Sequence, residues 1–272
     1  MNTTKVLNID SLYRRNYFTT NSTDFKLDLN YPIINVVSMK LSNIQLPNTW
    51  HNVAADYGNN TFTISGDTFI IPDGNYNSQS APIKFKYLTS PNPSAFSAST
   101  YLFDDHFELT LSTETGKSTI NNKNGDIFDL KFSEKNDIDS LIHSLAWMLG
   151  FRKAEYSGSS SYESEAIFNS NPFSYIYLVI DDNNYTGNEL IIGNLRNSVI
   201  SGNILAIIRV NSSNYGIINT DSYETQTRVY SHPVRMRKLH IKLLSPEGQV
   251  IDLNNMDFSF SLEFEIKNDL LI

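Results

Sequence analysis

Residues 256–266 read MDFSFSLEFEI, with apolar and polar side chains alternating at every step. The apolar positions of this segment are Met256, Phe258, Phe260, Leu262, Phe264 and Ile266. Successive side chains of a β-strand point to opposite faces of its sheet. The segment therefore predicts a strand with one buried face and one face that meets water or a partner.

The same alternation recurs along most of the chain, with β-branched and aromatic residues inside each run and Gly, Pro, Asn or Asp at its ends. It predicts further strands at 4–9, 24–29, 34–45, 61–64, 68–72, 83–88, 106–112, 118–121, 127–132, 174–181, 203–210, 226–230, 235–244 and 249–253. One segment, 136–149, instead has apolar residues at helical spacing, with Asn136 able to cap its start and Gly150 suited to its end. A single amphipathic helix among many strands indicates an all-β fold.

Two polar, Ser-rich stretches interrupt the strands, at about 89–103 and 154–172. We interpret both as long loops of one elaborated domain spanning 1–272. The N-terminus has no signal-peptide pattern, and no run of about 18 apolar residues could cross a bilayer, so we expect neither secretion by a signal peptide nor a membrane span.

Charge and composition exclude several classes of function. A formal net charge of −8 opposes non-specific binding to nucleic acid, which basic charge drives. The chain has no cysteine, which removes disulfides, thiolate chemistry and Cys-ligated zinc. The five histidines are scattered, without the HExxH spacing of a zinc peptidase.

Two motifs that could indicate a ligand site do not fit their families. TETGKST at 113–119 ends like a P-loop, but the glycine required five positions before Gly116 is Leu111, so we predict a hairpin turn. The Asp104-Asp105 and Asp181-Asp182 pairs lack the EF-hand pattern and are interpreted as solvated turn residues. The sequence therefore predicts no catalytic residue, no metal and no cofactor.

A basic segment, PVRMRKLHIKL at 233–243, contrasts with this acidic chain. Its alternation slips by one residue at Arg237-Lys238, and a β-bulge there would place all the basic groups on one face. Carboxylates of the 256–266 strand (Asp257, Glu263, Glu265), or of a neighbouring subunit, would account for that face by charge pairing. An anionic partner is the alternative.

Several segments, in their order along the chain, resemble the jelly-roll capsid proteins, penton or minor, of nucleocytoplasmic large DNA viruses, particularly the mimivirus-like giant viruses. The segments are NIDSLYRRN (8–16), VVSMKLSNIQLPNTW (36–50), IPDGNY (71–76), WMLGFR (147–152), YIYLVIDD (175–182), RVYSHPV (228–234) and KLHIKLLSPEGQVIDLNNMDFSFSLEF (238–264). Pro82 departs from the family pattern, because it interrupts the helix expected after GNY.

The resemblance implies an antiparallel jelly-roll β-sandwich of about eight strands with loop insertions. It also implies a structural, non-enzymatic role in the capsid shell of a virion, with synthesis in the host cytoplasm. The expected partners are other copies of the chain, in a pentamer, and the major capsid protein, with an inner membrane or other minor capsid proteins as further candidates and no specific nucleic acid.

The same resemblance suggests which residues meet those partners. Residues 1–20 form a candidate N-terminal assembly arm that adds a strand to a neighbour. The candidate interface residues are Tyr13, Arg14, Arg15, Arg235, Arg237, Lys238 and Lys242.

Three functional alternatives stay open beside the penton. One is a minor capsid protein beneath or between the major capsomers. Another is a carbohydrate-binding attachment module that uses Tyr156, Tyr162, Tyr175, Tyr177 and Tyr185. The third is a β-sandwich hydrolase with two converging carboxylates.

Overall fold

The computed structural model describes residues 2–90, 101–171, 173–184, 191–195, 198–200, 202–219 and 223–268. Its strands are β1 (Asn2–Asp10), β2 (Asp24–Pro47), β3 (Thr61–Ile64), β4 (Asp67–Ile70), β5 (Phe107–Leu111), β6 (Lys117–Asn122), β7 (Phe128–Lys131), β8 (Glu155–Ser159), β9 (Ser161–Ile167), β10 (Tyr175–Asp181), β11 (Gly193–Asn194), β12 (Val199–Ile200), β13 (Ile204–Arg209), β14 (Ile217–Ile218), β15 (Tyr223–Thr225), β16 (Arg228–Leu244) and β17 (Ser259–Lys267). The α-helices are α1 (Ser80–Lys86), α2 (Phe103–His106), α3 (Ile138–Ile142) and α4 (Leu145–Leu149). Short 3-10 helices cover Ser11–Tyr13, Tyr17–Thr19 and Ala55–Tyr57.

All strand pairs are antiparallel, and strands far outnumber helices, which confirms the all-β class. By its internal contacts the chain forms two compact units. The first unit comprises residues 1–50 and 173–272, and the second comprises residues 51–172.

The first unit is built around the long strand β2. Its main sheet has the order β1-β17-β2-β16-β10-β13-β15, and β14 also pairs with β2. β17 pairs with β2 between Val36 and Gln45, whereas β16 pairs with β2 as far back as Asp24. The alternation of the 256–266 segment is confirmed, because its apolar side chains from Phe258 onward are buried.

Aromatic side chains connect the start of β2 with the segment that leads into β17. Phe25, near the start of β2, lies 6.5 Å from Phe258, which immediately precedes β17, measured between ring centroids. Phe258 in turn stacks on Phe260 at 5.6 Å. The buried faces of both ends of β2 therefore share one core.

The second unit contains two small sheets, with strand orders β4-β3-β7-β8 and β5-β6-β9. Its core is rich in phenylalanine: the Phe62 ring stacks on Phe69 at 5.3 Å and on Phe85 at 5.2 Å. Phe103 meets Phe85 edge-on at 5.4 Å. Offset and edge-on aromatic pairs of this kind add stability beyond the area that they bury.

Several local expectations are corrected in the second unit. The segment 154–172, expected to be a loop, contains β8 and β9, because Tyr156 and Tyr162 alternate with polar residues and are buried. The expected strand 83–88 is α1, whose buried residues Ala81 and Phe85 lie four positions apart on one face.

Proline at position 82 is compatible with α1 because it lies in the first turn, where a backbone N–H has no partner within the helix. The expected helix at 136–149 is two short helices, α3 and α4, separated by His143 and Ser144. Asp137, rather than Asn136, caps α3, since its carboxylate accepts the Ser140 N–H at 2.7 Å. Of the other expected loop, 89–103, positions 91–100 lie outside the described residues.

Two expectations in the first unit also change. The segment 249–253 is not a strand, although Val250 forms an isolated bridge with Leu244. Residues 2–10 of the expected N-terminal arm pair with β17 of the same chain, from Asn2 opposite Lys267 to Asp10 opposite Ser259.

No helix in the described part of the chain is long and apolar enough to span a bilayer.

Candidate interaction surfaces

The basic segment 233–243 lies in β16 and has the two-faced arrangement predicted from the sequence. Its apolar side chains, Val234, Met236, Leu239, Ile241 and Leu243, are buried. The register against β2 shifts between Met236 and Lys238, where the alternation slips. A local irregularity thus keeps the basic groups on the outer face, as expected for a bulge.

The carboxylates that meet this face come from β2 and not from the 256–266 strand. Asp28 lies 3.9 Å from Lys238 Nζ. Asp24 lies 2.5 Å from His240 Nε2 and 4.0 Å from Lys242 Nζ. The sequence suggested instead that Asp257, Glu263 and Glu265 pair with the basic groups. This expectation is wrong because β17 pairs with β1 and β2, not with β16.

Part of the basic surface remains without a counter-charge. Arg235 and Arg237 are exposed and have no hydrogen-bond or ion-pair partner among the described residues. Lys26, directly opposite His240 on β2, is also exposed. We call Lys26, Arg235 and Arg237 the basic face.

A second surface feature is the loop of residues 11–20, which we call the N-terminal loop. Arg14 holds it in place, with its guanidinium donating to Asp257 Oδ1 at 2.6 Å and to the carbonyls of Ser11, Tyr17 and Thr20 at 2.8 to 3.1 Å. The Arg14 side chain is 7% exposed, and its guanidinium carbon lies 4.0 Å from the centre of the Tyr17 ring. Arg14, a predicted interface residue, is therefore occupied within its own chain.

Asp257 anchors the same loop from the other side. Its carboxylate accepts the Ser11 hydroxyl at 2.7 Å and the Tyr17 hydroxyl at 2.9 Å. Ser11 N–H also donates to the Phe258 carbonyl at 2.9 Å. These bonds fix the loop to the segment that leads into β17.

This fixed loop presents apolar side chains to solvent. Tyr13 is 81% exposed and Phe18 is 96% exposed. Arg15 is also exposed and donates to Asp28 at 2.7 Å, which ties the loop to β2. Three residues further along β2, Tyr31 is another largely exposed aromatic residue.

A polar hollow of about 350 Å³ lies on the outer side of β17, lined by Asn2, Thr4, Ser38, Lys40, Thr227, Glu263 and Glu265. Glu263 is neutralised by Lys40, whose Nζ lies 2.9 Å away. Glu265 accepts the Asn2 amide at 2.7 Å and the Ser38 hydroxyl at 3.2 Å, both neutral donors. We call this feature the acidic hollow, since Glu265 leaves it with an unbalanced negative charge.

The pair Asp181-Asp182 is not a solvated turn, as the sequence suggested. The Asp182 carboxylate is buried and meets Arg228 at 2.9 Å and the Tyr230 hydroxyl at 2.5 Å. Burial, reinforced by Asp182, raises the pKa of Tyr230. Sequence periodicity missed this cluster because Arg228 and Tyr230 are distant from Asp182 along the chain.

The tyrosines considered for sugar stacking are largely unavailable. Tyr156 and Tyr162 are buried, with Tyr156 donating to Glu165 at 2.6 Å and Tyr162 donating to the Phe128 carbonyl at 2.6 Å. Tyr177 is also buried, while Tyr185 lies outside the described residues. Burial, followed by the Glu165 bond, raises the pKa of Tyr156.

The motifs examined for chemistry have structural roles. Residues 112–116 form the turn of the predicted β5–β6 hairpin, whereas Lys117 and Ser118 lie in β6. Lys117 pairs with Glu163 at 3.1 Å. Asp104 pairs with Lys123 at 2.9 Å, and Asp105 accepts the Leu102 N–H at 3.0 Å. Among the described residues there is no group of three or more histidine, aspartate and glutamate side chains that could hold a metal ion.

Comparisons with known proteins include a weak structural likeness. No family model matches the chain, and no curated protein is similar to it in sequence. A crystal structure of the selenomethionine-labelled mavirus penton protein aligns with a TM-score of 0.45 and 9% identity, covering 98% of this chain and 100% of that chain.

Proposed function

We propose that this chain is a structural subunit of a virus capsid, and specifically a penton that forms pentamers at the vertices of a giant icosahedral DNA virus. The observation that carries the proposal is the N-terminal loop, in which Arg14 and Asp257 hold Tyr13 and Phe18 out into solvent. Exposed aromatic side chains on a rigid support are typical of protein–protein contacts. The sequence resemblance to capsid proteins supports the same function.

The other described surfaces are consistent with assembly. The ionisable side chains considered for catalysis form hairpin, cap and ion-pair contacts within the chain. The proposal therefore needs no cofactor and no catalytic residue, and its expected partners are other copies and the major capsid protein. The predicted contact residues Tyr13, Arg15, Arg235, Arg237 and Lys238 are all exposed.

The mass of the purified chain in solution tests the proposal. Native mass spectrometry should give a pentamer, whereas a minor capsid protein would be a monomer that binds only to the major capsid protein. Replacing both aromatics, Tyr13→Ser with Phe18→Ser, should dissociate the pentamer and leave the circular dichroism spectrum of the folded chain unchanged, because neither side chain packs in the core.

The matched control is Tyr87→Ser, which removes another exposed tyrosine, 68% exposed, from the second unit. This control should leave the pentamer intact. A wild-type chain that stays monomeric at high concentration, alone and with the major capsid protein, would count against any assembly role.

A further inference from the structure

We propose that the basic face of one copy docks into the acidic hollow of the next copy, with Arg235 and Arg237 directed to Glu265. The inference rests on the proposed function, because it names the charged part of the contact between subunits. Two observations support it: the basic face has positive charge without a counter-charge, and the acidic hollow has negative charge without one. Both surfaces belong to the first unit.

The basic side is the first of these groups. Arg235 and Arg237 project from the outer face of β16 at the register irregularity, where Met236 lies opposite Ile33 of β2. Neither arginine has a partner among the described residues, whereas Lys238 pairs with Asp28 and Lys242 with Asp24. Arginine is more weakly hydrated than lysine, so these two side chains can enter a contact at a smaller desolvation cost.

The acidic hollow is the second group and has the chemistry to receive a guanidinium. An ionised carboxylate has about four acceptor positions, and Glu265 uses two of them for Asn2 and Ser38. Its neutral neighbours hold the carboxylate in place without cancelling its charge. A planar guanidinium can occupy the remaining positions through two parallel hydrogen bonds.

The positions of the two groups determine the kind of contact. The basic face belongs to the stretch of β2 and β16 that begins at Asp24, and the acidic hollow belongs to the stretch where Ser38 and Lys40 face β17. One chain thus carries two different patches that complement each other. A contact between unlike patches is heterologous, and it closes into a ring when the rotation between copies allows.

Charge reversal with rescue tests the contact on the full-length chain. Arg235→Glu with Arg237→Glu should weaken self-association at least about a hundredfold, since like charges would then face each other. Adding Glu265→Arg to the same chain reverses the hollow as well and should restore association. Rescue by a third substitution also shows that the double variant is folded.

A control with the same change in net charge is Lys86→Glu with Lys135→Glu, two exposed lysines of the second unit. It should associate as the wild type does. Raising sodium chloride from about 0.05 M to about 0.5 M should weaken the wild-type oligomer, because salt screens exposed charge pairs.

The outcomes separate the two proposals. A wild-type oligomer that is unchanged by the double reversal, or one that the triple variant fails to restore, would overturn the charged contact and leave the capsid role standing. A wild-type chain that never self-associates would overturn both the contact and the pentamer.

Discussion

Asp182 and Arg228 form an ion pair inside the first unit, with the carboxylate 1% exposed and the guanidinium 8% exposed. Arg228 also donates to the carbonyls of Ile180 at 2.8 Å and Asn203 at 3.0 Å. The pair thereby joins the end of β10 to the start of β16. Burying such a pair costs desolvation free energy, which offsets much of its attraction. Removing only one partner, however, strongly destabilises the folded state, because the other charge stays buried without a partner.

Removing the charge of Asp182 should therefore destabilise the protein strongly. Asp182→Asn leaves Arg228 buried without a counter-charge, and we expect a loss of about 3–5 kcal/mol in the free energy of unfolding. Urea denaturation followed by circular dichroism measures the loss. Asp181→Asn, at the neighbouring and less buried position, is the control and should change stability by less than about 1 kcal/mol; equal effects of both variants would contradict the prediction.

Loss of the Asp257 carboxylate should release the N-terminal loop. Asp257→Asn weakens the charge-assisted bond from Arg14 and alters those from Ser11 and Tyr17, at an expected cost of about 1–3 kcal/mol. Limited trypsin digestion should then cut after Arg14 or Arg15 faster than in the wild type. Asp252→Asn, which alters only a local turn bond to Asn254, should not accelerate cleavage; protection of the loop in the Asp257 variant would argue against its anchoring role.

Position 150 requires glycine for two reasons: its backbone φ is positive, and there is no space for a Cβ atom. Its φ is +91°, and a Cβ built there would lie 2.2 Å from the Ala166 carbonyl oxygen. Gly58 has a φ of +71° but open space around it, so Gly58→Ala measures backbone strain alone.

We expect Gly58→Ala to cost about 1–2 kcal/mol and Gly150→Ala to cost at least about 2 kcal/mol more, because the backbone near Ala166 must move. Thermal unfolding of the two variants gives the comparison. Similar melting temperatures of the two variants would contradict this, because they would show that the β9 backbone moves at Ala166 without a cost in stability.

Stability of the second unit should depend on the ionisation of Glu165. Burial tends to raise the pKa of this carboxyl, but hydrogen bonds from the Tyr156 hydroxyl and from the Arg152 N–H outweigh it, so the pKa lies below its ordinary value of 4.5. A group with a lowered pKa in the folded state contributes stability above its unfolded pKa and loses that contribution as the pH falls through the folded value.

The free energy of unfolding should therefore decline as the pH is lowered below about 4.5. Glu165→Gln should reduce the slope of this decline, which urea titrations at a series of pH values can measure. The Glu163→Gln variant is the control at a more exposed position. Identical slopes in the wild type and in Glu165→Gln would exclude Glu165 as a source of the acid sensitivity.

Sequence periodicity identified elements where burial is one-sided. The alternation in β16 and β17 predicted their buried faces correctly, because a period of two leaves only one way to bury the apolar residues. The pattern failed at α1, where the alternating letters IKFKYL coincide with a helical face formed by Ala81 and Phe85. It also failed at β8 and β9, whose exposed faces are as Ser-rich as loops.

Sequence periodicity could not predict the order of the strands or the partners in the ion pairs. The sequence correctly indicated that β16 has a basic outer face, but which carboxylates lie beside it depends on which strands are neighbours. Asp24 and Asp28 are more than 200 positions from Lys238 and Lys242 along the chain. Only the tertiary pairing of β2 with β16 brings them together.

The pairing of β1 with β17, from Asn2 opposite Lys267 to Asp10 opposite Ser259, has a consequence for biosynthesis. Neither β1 nor β2 can complete its sheet until the ribosome has released β17, whereas the described strands of residues 51–172 pair only with one another. Contacts between such distant positions also make folding slow. A nascent chain must therefore keep residues 2–47 from aggregating until residues 259–267 have been synthesised, and the first unit closes after the second.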